Sequence, residues 1–531
     1  MNILALKPGH DGHICAIEDG TLVFSFEAEK DSGARFAEAS ACNFLDAAAH
    51  CTQKPDVVAL SGWSVGIEAS GPPIGAGYVG LMPPRLSSRR FLGSETLFAT
   101  SSHERSHLLC SYAMSPYPQR EPCYALLWEG YLGAIYEIDQ DLSITRLENV
   151  MLAPGDRYAF VYALVDAGFS LPGGKVRLAD AGKVMALAGF EGAICPSDEE
   201  QKIIQAVVSR PNPRPGLDKS SFVHFKAHNC GADSRDAKRL ARLIGDAIFE
   251  TFIRALERNC SKKLPLIVGG GCGLNCEWNS RLRASGLFDE VFVPPCCNDT
   301  GSAIGTAVDA QWSLTGNGKL KWSVYAGQNF IDNEAGYRHE YAEAFIDVGS
   351  CLARIARELA KGRVLAWISG RAEIGPRALG NRSILAAPFS GEIRDRLNHI
   401  KRRESFRPIA PVCLEEDLGR HFGMPGASPY MLFFAPVTST ELAAVTHVDG
   451  TARPQSVSRS QNPRLHELLL AFKQITGFGV LCNTSLNFHG RGFINSAGDL
   501  FHFAEESGLD GVVIDGRLFL HRRLATGSAD G

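Results

Sequence analysis

Residues 370–411 read GRAEIGPRALGNRSILAAPFSGEIRDRLNHIKRRESFRPIAP and concentrate positive charge. Nine Arg or Lys and four acids lie between Arg371 and Arg407, whereas the whole chain has a formal net charge of -4. Such a charge run is often a solvated basic face or a nucleic-acid patch. Here the cations alternate with Gly, Pro, Ile and Phe, which is typical of a packed pocket.

The pattern of this stretch predicts a turn followed by a short helix. Gly and Pro punctuate its first part, and Ile393, Leu397 and Ile400 are spaced as on one helix face. Guanidinium forks give two parallel hydrogen bonds to oxygen anions, so we expect a pocket for small, multiply charged phosphates. Its polar candidates are Arg377, Asn381, Arg382, Ser383, Lys401 and Arg407.

The same stretch carries a resemblance to a known family. Residues 375–383, 403–404, 406–408 and 410–411, with Glu373, Asn398 and Lys401, resemble the signature of the O-carbamoyltransferases that include nodulation and antibiotic-tailoring enzymes. The resemblance implies carbamoyl phosphate and ATP with Mg²⁺ as donors, a carbamoyl adenylate intermediate and a small-molecule alcohol as acceptor. It also implies donor contacts from the residues above and from Arg453, Asn483 and Ser485.

Length and composition indicate a large globular protein. At 531 residues the chain is too long for one ordinary core, so we expect two domains. No apolar run is long enough to span a bilayer, and a strand pattern follows Met1 without a basic signal region. We therefore expect a cytoplasmic protein without a membrane partner, and its 15 cysteines to be mostly reduced and buried.

Two similar strand-loop-hairpin units indicate a duplicated N-terminal α/β domain. The first contains strands near 3–6, 13–16 and 22–26, and the second contains strands near 124–128, 134–138 and 142–147. Actin-like and sugar-kinase-like domains are built this way and hold nucleotide between their halves. The duplication with the family resemblance implies that residues 1–345 form an actin-like carbamoyl-transfer domain. By the resemblance, residues 346–531 form a YrdC-like α/β domain that makes carbamoyl adenylate.

Glycine-rich turns supply candidates for binding the adenylate. An apolar strand at 264–268 runs into a turn that contains Gly270 and Gly271 and ends at Asn275. Because glycine has no side chain, backbone N–H groups in this turn can approach a phosphate or ribose closely. A tight turn without a ligand would explain the same glycines. Gly182 and Lys183 open a helix pattern, and the resemblance implies that this helix lies at the adenylate.

A candidate metal site begins with two histidines. His103 and His107 are four residues apart, which on a helix places both imidazoles on one face, although such pairs often occur by coincidence on a surface. Glu129 follows a strand and Asp299 precedes a helix start, and two His with carboxylates suit iron, manganese or zinc. The resemblance implies a metal at these positions, iron in the family. Many members have Asp-Gly where this chain has Glu129-Gly130, and the longer carboxylate has a different reach.

His10 and Asp11, in the loop after the first strand, are the candidates for acting on the acceptor. Carbamoyl transfer to an alcohol requires removal of the hydroxyl proton, and His is suited to that at neutral pH. Either side chain could instead close the loop by bonding to the backbone. With the resemblance added, we expect His10 to be the general base.

Two other functions account for parts of the sequence. A tRNA threonylcarbamoyl-adenosine enzyme has similar component domains, but an RNA substrate favours a broad basic surface, and the net charge here is -4. We therefore expect no nucleic-acid partner. A non-catalytic actin-like ATP-binding module would leave the cations of 377–407 without a purpose. No motif identifies the acceptor alcohol, the metal or the oligomeric state, and a homo-oligomer stays open.

Overall fold

The computed structural model describes residues 1–65, 68–69, 71–91, 93–170, 176–211, 217–332 and 343–525. Within them the strands form three main sheets and two short two-stranded ones. Residues 333–342 lie outside the described residues, so the domain boundary at 345 stays a prediction. Among the described helices, none combines the length and hydropathy of a bilayer span. All fifteen cysteines are free thiols, most of them buried.

The first sheet is formed by the N-terminal strands. The strands up to Ser101 are β1 (Asn2–Lys7), β2 (His13–Glu18), β3 (Thr21–Glu27), β4 (Val57–Ser61), β5 (Ser64–Val65), β6 (Glu68–Ala69), β7 (Arg85–Phe91) and β8 (Ser94–Ser101). The order is β3-β2-β1-β4-β8-β7, while β5 and β6 pair separately. β1 is parallel to β4 and β4 to β8, and the other pairs are antiparallel.

The second sheet repeats this order. Its strands are β9 (Cys123–Trp128), β10 (Gly133–Ile138), β11 (Ile144–Asn149), β12 (Leu266–Gly269) and β13 (Val291–Phe292). They are arranged β11-β10-β9-β12-β13, with two antiparallel pairs followed by two parallel pairs, as in β3-β2-β1-β4-β8. The duplicated α/β class predicted for the N-terminal domain is therefore confirmed.

Helices lie on both faces of the second sheet. The helices of this part are α1 (Ala41–Ala49), α2 (His103–Met114), α3 (Pro154–Val165), α4 (Ala181–Ala188), α5 (Asp198–Val208), α6 (Arg235–Asn259), α7 (Cys276–Ala284) and α8 (Ser302–Thr315). Alternate residues of β9 enter two clusters, Leu126 packing with α3 and α6 and Leu127 packing with α2. A strand covered on both faces reads as a continuous apolar run, here CYALLW.

Helices α2 and α8 form the layer between the two sheets. α2 contacts β9 and β12, α8 contacts β1 and β4, and the helices contact each other. Gly305 on α8 permits the close crossing, because an added Cβ would lie 1.7 Å from the backbone oxygen of Ser106 on α2. The side chain of Ser102 caps α2 by accepting from the N–H of Arg105. The predicted helix under His103 and His107 is confirmed.

The third sheet contains the C-terminal strands. These are β14 (Phe345–Ser350), β15 (Leu365–Ile368), β16 (Arg382–Ala386), β17 (Ala410–Leu414), β18 (Ala435–Pro436), β19 (Thr451–Ala452), β20 (Gln455–Val457), β21 (Val480–Ser485), β22 (Gly511–Ile514) and β23 (Arg517–His521). The helices are α9 (Leu352–Ala360), α10 (Gly391–Ile400), α11 (Leu418–Phe422), α12 (Pro463–Thr476), α13 (Ala497–Glu506) and α14 (Arg522–Ala525). The sheet order is β14-β23-β22-β15-β16-β21-β17-β20, and β18 pairs with β19 separately.

This mixed sheet with helices confirms the α/β class of the C-terminal part. β15 and β16 are antiparallel neighbours. The segment between them, residues 369–381, is called the signature loop below. It leaves the sheet and returns to it, which places it against the N-terminal part, where the N–H of Ile374 donates to the backbone oxygen of Val324 at 2.8 Å.

The close crossing of α2 and α8 gives a stability prediction. Gly305→Ala should lower the apparent unfolding temperature by about 2 °C or more, because its Cβ overlaps the backbone of α2. Gly498→Ala is the matched control, since it also lies in a helix but has no atom within 4 Å of an added Cβ. Thermal unfolding followed by circular dichroism measures both. Equal behaviour of the two variants would contradict the proposed packing.

Candidate active site

A cavity of about 1280 Å³ lies between the duplicated part and the C-terminal sheet. It exceeds the roughly 300 to 1,000 Å³ of common ligand pockets, so it has room for more than one small molecule. The predicted site residues that line it are His10, Asp11, Glu129, Gly182, Lys183, Gly271, Asn275, Asp299, Arg377, Lys401, Arg407, Arg453, Asn483 and Ser485. Residues predicted to bind the donor and residues predicted to act on the acceptor therefore share one cavity.

A cluster called the metal end, formed by His103, His107, Glu129 and Asp299, meets the cavity through its two carboxylates, whereas the two buried histidines do not line it. One ligand atom from each lies within 4.8 Å of the others. Nε2 of His103 is 3.1 Å from Oε2 of Glu129, Nε2 of His107 is 3.2 Å from Oδ1 of Asp299, and the two Nε2 atoms are 3.2 Å apart. Ligand atoms bound at about 2.0 to 2.2 Å to one ion are roughly 2.8 to 3.6 Å apart. The nitrogen and oxygen donors thus fit a divalent transition metal.

The carboxylates of the metal end are held in the ionised form. Burial alone would raise the pKa of Asp299, but Lys7 and the two histidines hold it well below its ordinary value. Nζ of Lys7, itself buried, donates to Oδ2 of Asp299 at 2.8 Å. Burial likewise opposes ionisation of Glu129, and His103 and His107 lower its pKa. The carboxylates can therefore ligate without first losing a proton.

His10 lies beside the metal end and is 43% exposed, so a bound molecule can reach its ring. Its Nδ1 is 3.7 Å from Oδ2 of Asp11 and 4.0 Å from Oδ2 of Asp299. The ring stacks on Phe36 with centroids 5.0 Å apart. Asp11 is buried with a φ of 54°, and Nδ2 of Asn298 donates to it at 3.0 Å. The loop thus fixes Asp11 and presents His10 to the cavity.

A second part of the cavity, called the cationic wall, is formed by Arg377, Arg403, Arg407 and Arg453. Within the described chain, the buried Nε atoms of Arg377, Arg403 and Arg453 have no hydrogen-bond acceptor. Burial, with Arg453 nearby, lowers the pKa of Arg377 to about 9. Burial and the adjacent Arg407 lower the pKa of Arg403 to about 9. These cations are desolvated and close together, an arrangement that a polyanion would relieve.

Comparison with known proteins agrees with this arrangement. The chain matches the families Carbamoyltransferase C-terminus over residues 356–521 and Carbamoyltransferase N-terminus over residues 223–308. The 3'-hydroxymethylcephem-O-carbamoyltransferase of Streptomyces clavuligerus is 44% identical over 515 residues, covering 97% of this chain and 98% of that protein. The chain belongs to the carbamoyltransferase family.

Two further relatives support the same assignment. The protein of the same name from Amycolatopsis lactamdurans is 44% identical over 97% of this chain and 98% of its own length. Nodulation protein U of Rhizobium tropici is 34% identical over 99% of this chain and 97% of its own length. The family resemblance predicted from the signature stretch is confirmed, and this chain is an enzyme of the carbamoyltransferase class.

Six predicted site residues of this carbamoyltransferase lie outside the cavity lining: His103, His107, Gly270, Asn381, Arg382 and Ser383. Arg382 is fully buried, and its guanidinium donates to Oδ1 of Asn495 at 2.7 and 2.9 Å and to the backbone oxygen of Gly370 at 2.9 Å. Nδ2 of Asn381 donates to the oxygen of Arg371, and Oγ of Ser383 accepts from the N–H of Gly380. In this arrangement the side chains of Asn381, Arg382 and Ser383 brace the signature loop.

The other candidates of the carbamoyltransferase meet the cavity in different ways. Lys183 lies 3.1 Å from Asp180 and 2.9 Å from Glu404, so its charge is already compensated. A Cβ added at Gly182 would lie 3.7 Å from Nη2 of Arg407, so the adenylate candidates adjoin the cationic wall. Lys401 donates to the backbone oxygen of Ser485 at 2.6 Å and to Asn487.

The remaining amide candidates are also engaged. Asn275 caps α7, its Oδ1 accepting from the N–H groups of Glu277 and Trp278. Nδ2 of Asn483 donates to Oε1 of Gln455 at 2.9 Å. Gly270, with φ +88°, lets the end of β12 approach the end of β9, because a Cβ there would lie 2.3 Å from the oxygen of Trp128.

Three residues that contribute to the site were not among the candidates chosen from the sequence. Lys7 was visible only as a polar residue ending an apolar strand, and Arg403 was part of the cationic array without being chosen as a binding candidate. Tyr78 left no local signal, yet its hydroxyl donates to Oε1 of Glu129 at 2.9 Å and its ring stacks on His103 at 4.3 Å. Long-range partners of this kind appear only in the folded chain.

The metal end gives a prediction for the purified carbamoyltransferase. Elemental analysis should find about one divalent transition metal per chain, because two imidazoles and two carboxylates converge there. A His103→Ala, His107→Ala double variant should lose it. His502→Ala, which removes an exposed histidine on α13, should retain it. Equal metal content in both variants would contradict this site.

Proposed function

We propose that this carbamoyltransferase uses ATP to move the carbamoyl group of carbamoyl phosphate, via carbamoyl adenylate, to a hydroxyl of a small molecule. The observation that carries the proposal is one cavity lined both by the four guanidiniums of the cationic wall and by His10 and Asp299. Family membership supports carbamoyl transfer, and clustered desolvated cations support donors rich in phosphate.

The donor half of the reaction is assigned to the cationic wall. Hydrolysis of carbamoyl phosphate gives carbamate and phosphate, and a carbamate oxygen then attacks the α-phosphorus of ATP as pyrophosphate leaves. Negative charge on the phosphoryl oxygens is stabilised by N–H donors already in place on Arg377, Arg403 and Arg407. Mg²⁺ accompanies the ATP phosphates in reactions of this class.

The transfer half is assigned to the metal end. The acceptor hydroxyl attacks the carbamoyl carbon of the adenylate, AMP leaves, and His10 takes the hydroxyl proton. Oδ2 of Asp11 lies 3.7 Å from Nδ1 of His10, so a carboxyl group is beside the ring that takes this proton. Iron or another divalent transition metal held by His103, His107, Glu129 and Asp299 would supply a Lewis acid beside His10.

The acceptor is proposed to be a small natural product. The two relatives that are 44% identical are named for 3'-hydroxymethylcephem, so a hydroxymethyl cephem is the first alcohol to test. Incubation of the enzyme with ATP, carbamoyl phosphate and either this alcohol or tRNA, followed by mass spectrometry, tests the acceptor class. A carbamoyl group on the alcohol supports the proposal, and modification of tRNA alone contradicts it.

The donor assignment predicts the behaviour of cationic-wall variants. Arg377→Ala and Arg407→Ala should each lower pyrophosphate release from ATP plus carbamoyl phosphate by about 100-fold or more, because each removes a donor to phosphoryl oxygens. Arg394→Ala is the control, since Arg394 belongs to the same stretch but lies on α10 beside Asp395 and outside the cavity lining. Parental rates in both cavity variants would place the donor site elsewhere.

The role of His10 predicts a separation of the two half reactions. His10→Asn should still release pyrophosphate, because His10 is needed only once the adenylate exists. Transfer to the alcohol should fall by about 10² to 10⁴-fold, the usual effect of losing a general base. Pyrophosphate release and product formation are measured in the same samples. Normal product formation would overturn the assigned base, and parallel loss of both activities would show that the steps are not separated in this way.

A further inference from the structure

Two buried charged residues of the N-terminal part hold the signature loop. Oε1 of Glu27, at the end of β3, accepts from the N–H of Gly375 at 2.6 Å. Nζ of Lys30 donates to the backbone oxygen of the same glycine at 2.8 Å and lies 3.4 Å from Oε2 of Glu27. The pair therefore binds both polar backbone groups of one residue from the other part of the chain.

This ion pair is not explained by the chemistry assigned above. Neither side chain lines the cavity, and the exposed fractions of Lys30 and Glu27 are only 1% and 2%. Burial raises the pKa of Glu27 to about 7, which reflects the cost of holding its charge away from water. Buried ion pairs contribute little net stability because desolvation offsets their attraction. The ion pair is better explained by a role in fixing the position of the signature loop.

The glycine that they hold is also confined from the opposite side. Gly375 has a φ of +84°, and an added Cβ would lie 2.2 Å from the backbone oxygen of Pro295. The loop of Pro295 continues to Asp299 at the metal end. Gly375 thus lies where the signature loop meets two N-terminal segments, the one that carries Glu27 and Lys30 and the loop of Pro295.

Arg377 follows Gly375 after one rigid residue. Pro376 has a fixed φ and no N–H, so one fewer backbone torsion is free between Gly375 and Arg377. The guanidinium of Arg377 reaches back to the N-terminal part, where Nη2 donates to the oxygen of Leu274 at 3.0 Å. Its position in the cationic wall therefore depends on how Gly375 is held.

We propose that Glu27 and Lys30 are positioning residues, which hold the Gly375 peptide so that Arg377 faces the phosphate of carbamoyl phosphate. The inference rests on the proposed function, because that function gives Arg377 its donor role. It makes the donor pocket dependent on strand β3 of the duplicated domain. The two residues act through Gly375 and do not touch the reacting atoms.

The test measures donor affinity apart from turnover. Calorimetry with carbamoyl phosphate should show a dissociation constant raised by about tenfold or more in Glu27→Ala, since the hydrogen bond that Glu27 accepts from the N–H of Gly375 is lost. Glu27→Gln retains an acceptor oxygen and the side-chain volume, so its dissociation constant should stay within about threefold of the parental value. Lys30→Met should weaken binding as Glu27→Ala does, which provides a second route if that variant fails to fold.

Arg371→Gln controls for general damage to the interface. Arg371 also bridges the two parts, donating to the backbone oxygens of Val23 and Gly327 at 2.9 Å, but it lies outside the cavity lining. It should lower the unfolding temperature with carbamoyl phosphate affinity near the parental value. Equal weakening by Arg371→Gln, or unchanged affinity in Glu27→Ala and Lys30→Met, would overturn the positioning role.

Pyrophosphate release by the parental enzyme separates this inference from the proposed function. If the parental enzyme binds carbamoyl phosphate but releases no pyrophosphate from ATP, the adenylate route fails while the affinity series still decides the positioning role. If the parental enzyme binds no carbamoyl phosphate, Arg377 has no phosphate of that molecule to face, and the positioning role fails as well.

Discussion

Desolvated positive charge at the junction of the two parts is the constraint on which the rest of the cavity depends. A guanidinium removed from water is costly unless oxygens surround it, and here Arg377, Arg403 and Arg453 keep buried Nε atoms without acceptors among the described residues. Among the described residues, Arg377 donates to the backbone oxygen of Leu274 and Arg403 to the hydroxyl of Thr484, and both of these acceptors are neutral. Such a wall is most stable when an anion occupies it, so ligand binding and stability are linked.

The metal end has the opposite charge arrangement within the same cavity. Glu129 and Asp299 are carboxylates, and Lys7 compensates part of the charge of Asp299. The cationic wall, which among the described residues has no comparable set of carboxylates, is the part of the cavity that would attract phosphates. A divalent cation at the cluster inverts the local charge. Occupancy by metal would therefore change what the metal end attracts.

Much of the fold could be predicted from sequence because its signals are local. The run CYALLW is apolar throughout because both faces of β9 are covered, and the i, i+4 histidines follow a capped helix start. The site was harder to predict where the role of a side chain depends on its position in a strand and on which face of the sheet it points to. In β16, Arg382 lies opposite Ile368, and its side chain reaches Asn495 away from the cavity, although in sequence it resembles Arg377. The ion pair of Lys183 with Glu404 joins distant segments and left no local pattern.

The pocket around the cationic wall is consequently not built by the C-terminal part alone. Arg377 rests on Leu274, Gly375 contacts Pro295, and Glu404 pairs with Lys183, so N-terminal residues complete the pocket. The adenylate candidates at Gly182 adjoin Arg407, and the same cavity continues to His10. Carbamate and its adenylate react with water, and an enclosed site reduces such side reactions. A pocket built from both parts would keep the proposed intermediate next to His10, the group proposed to consume it, which is a physical reason for joining the two proposed activities in one chain.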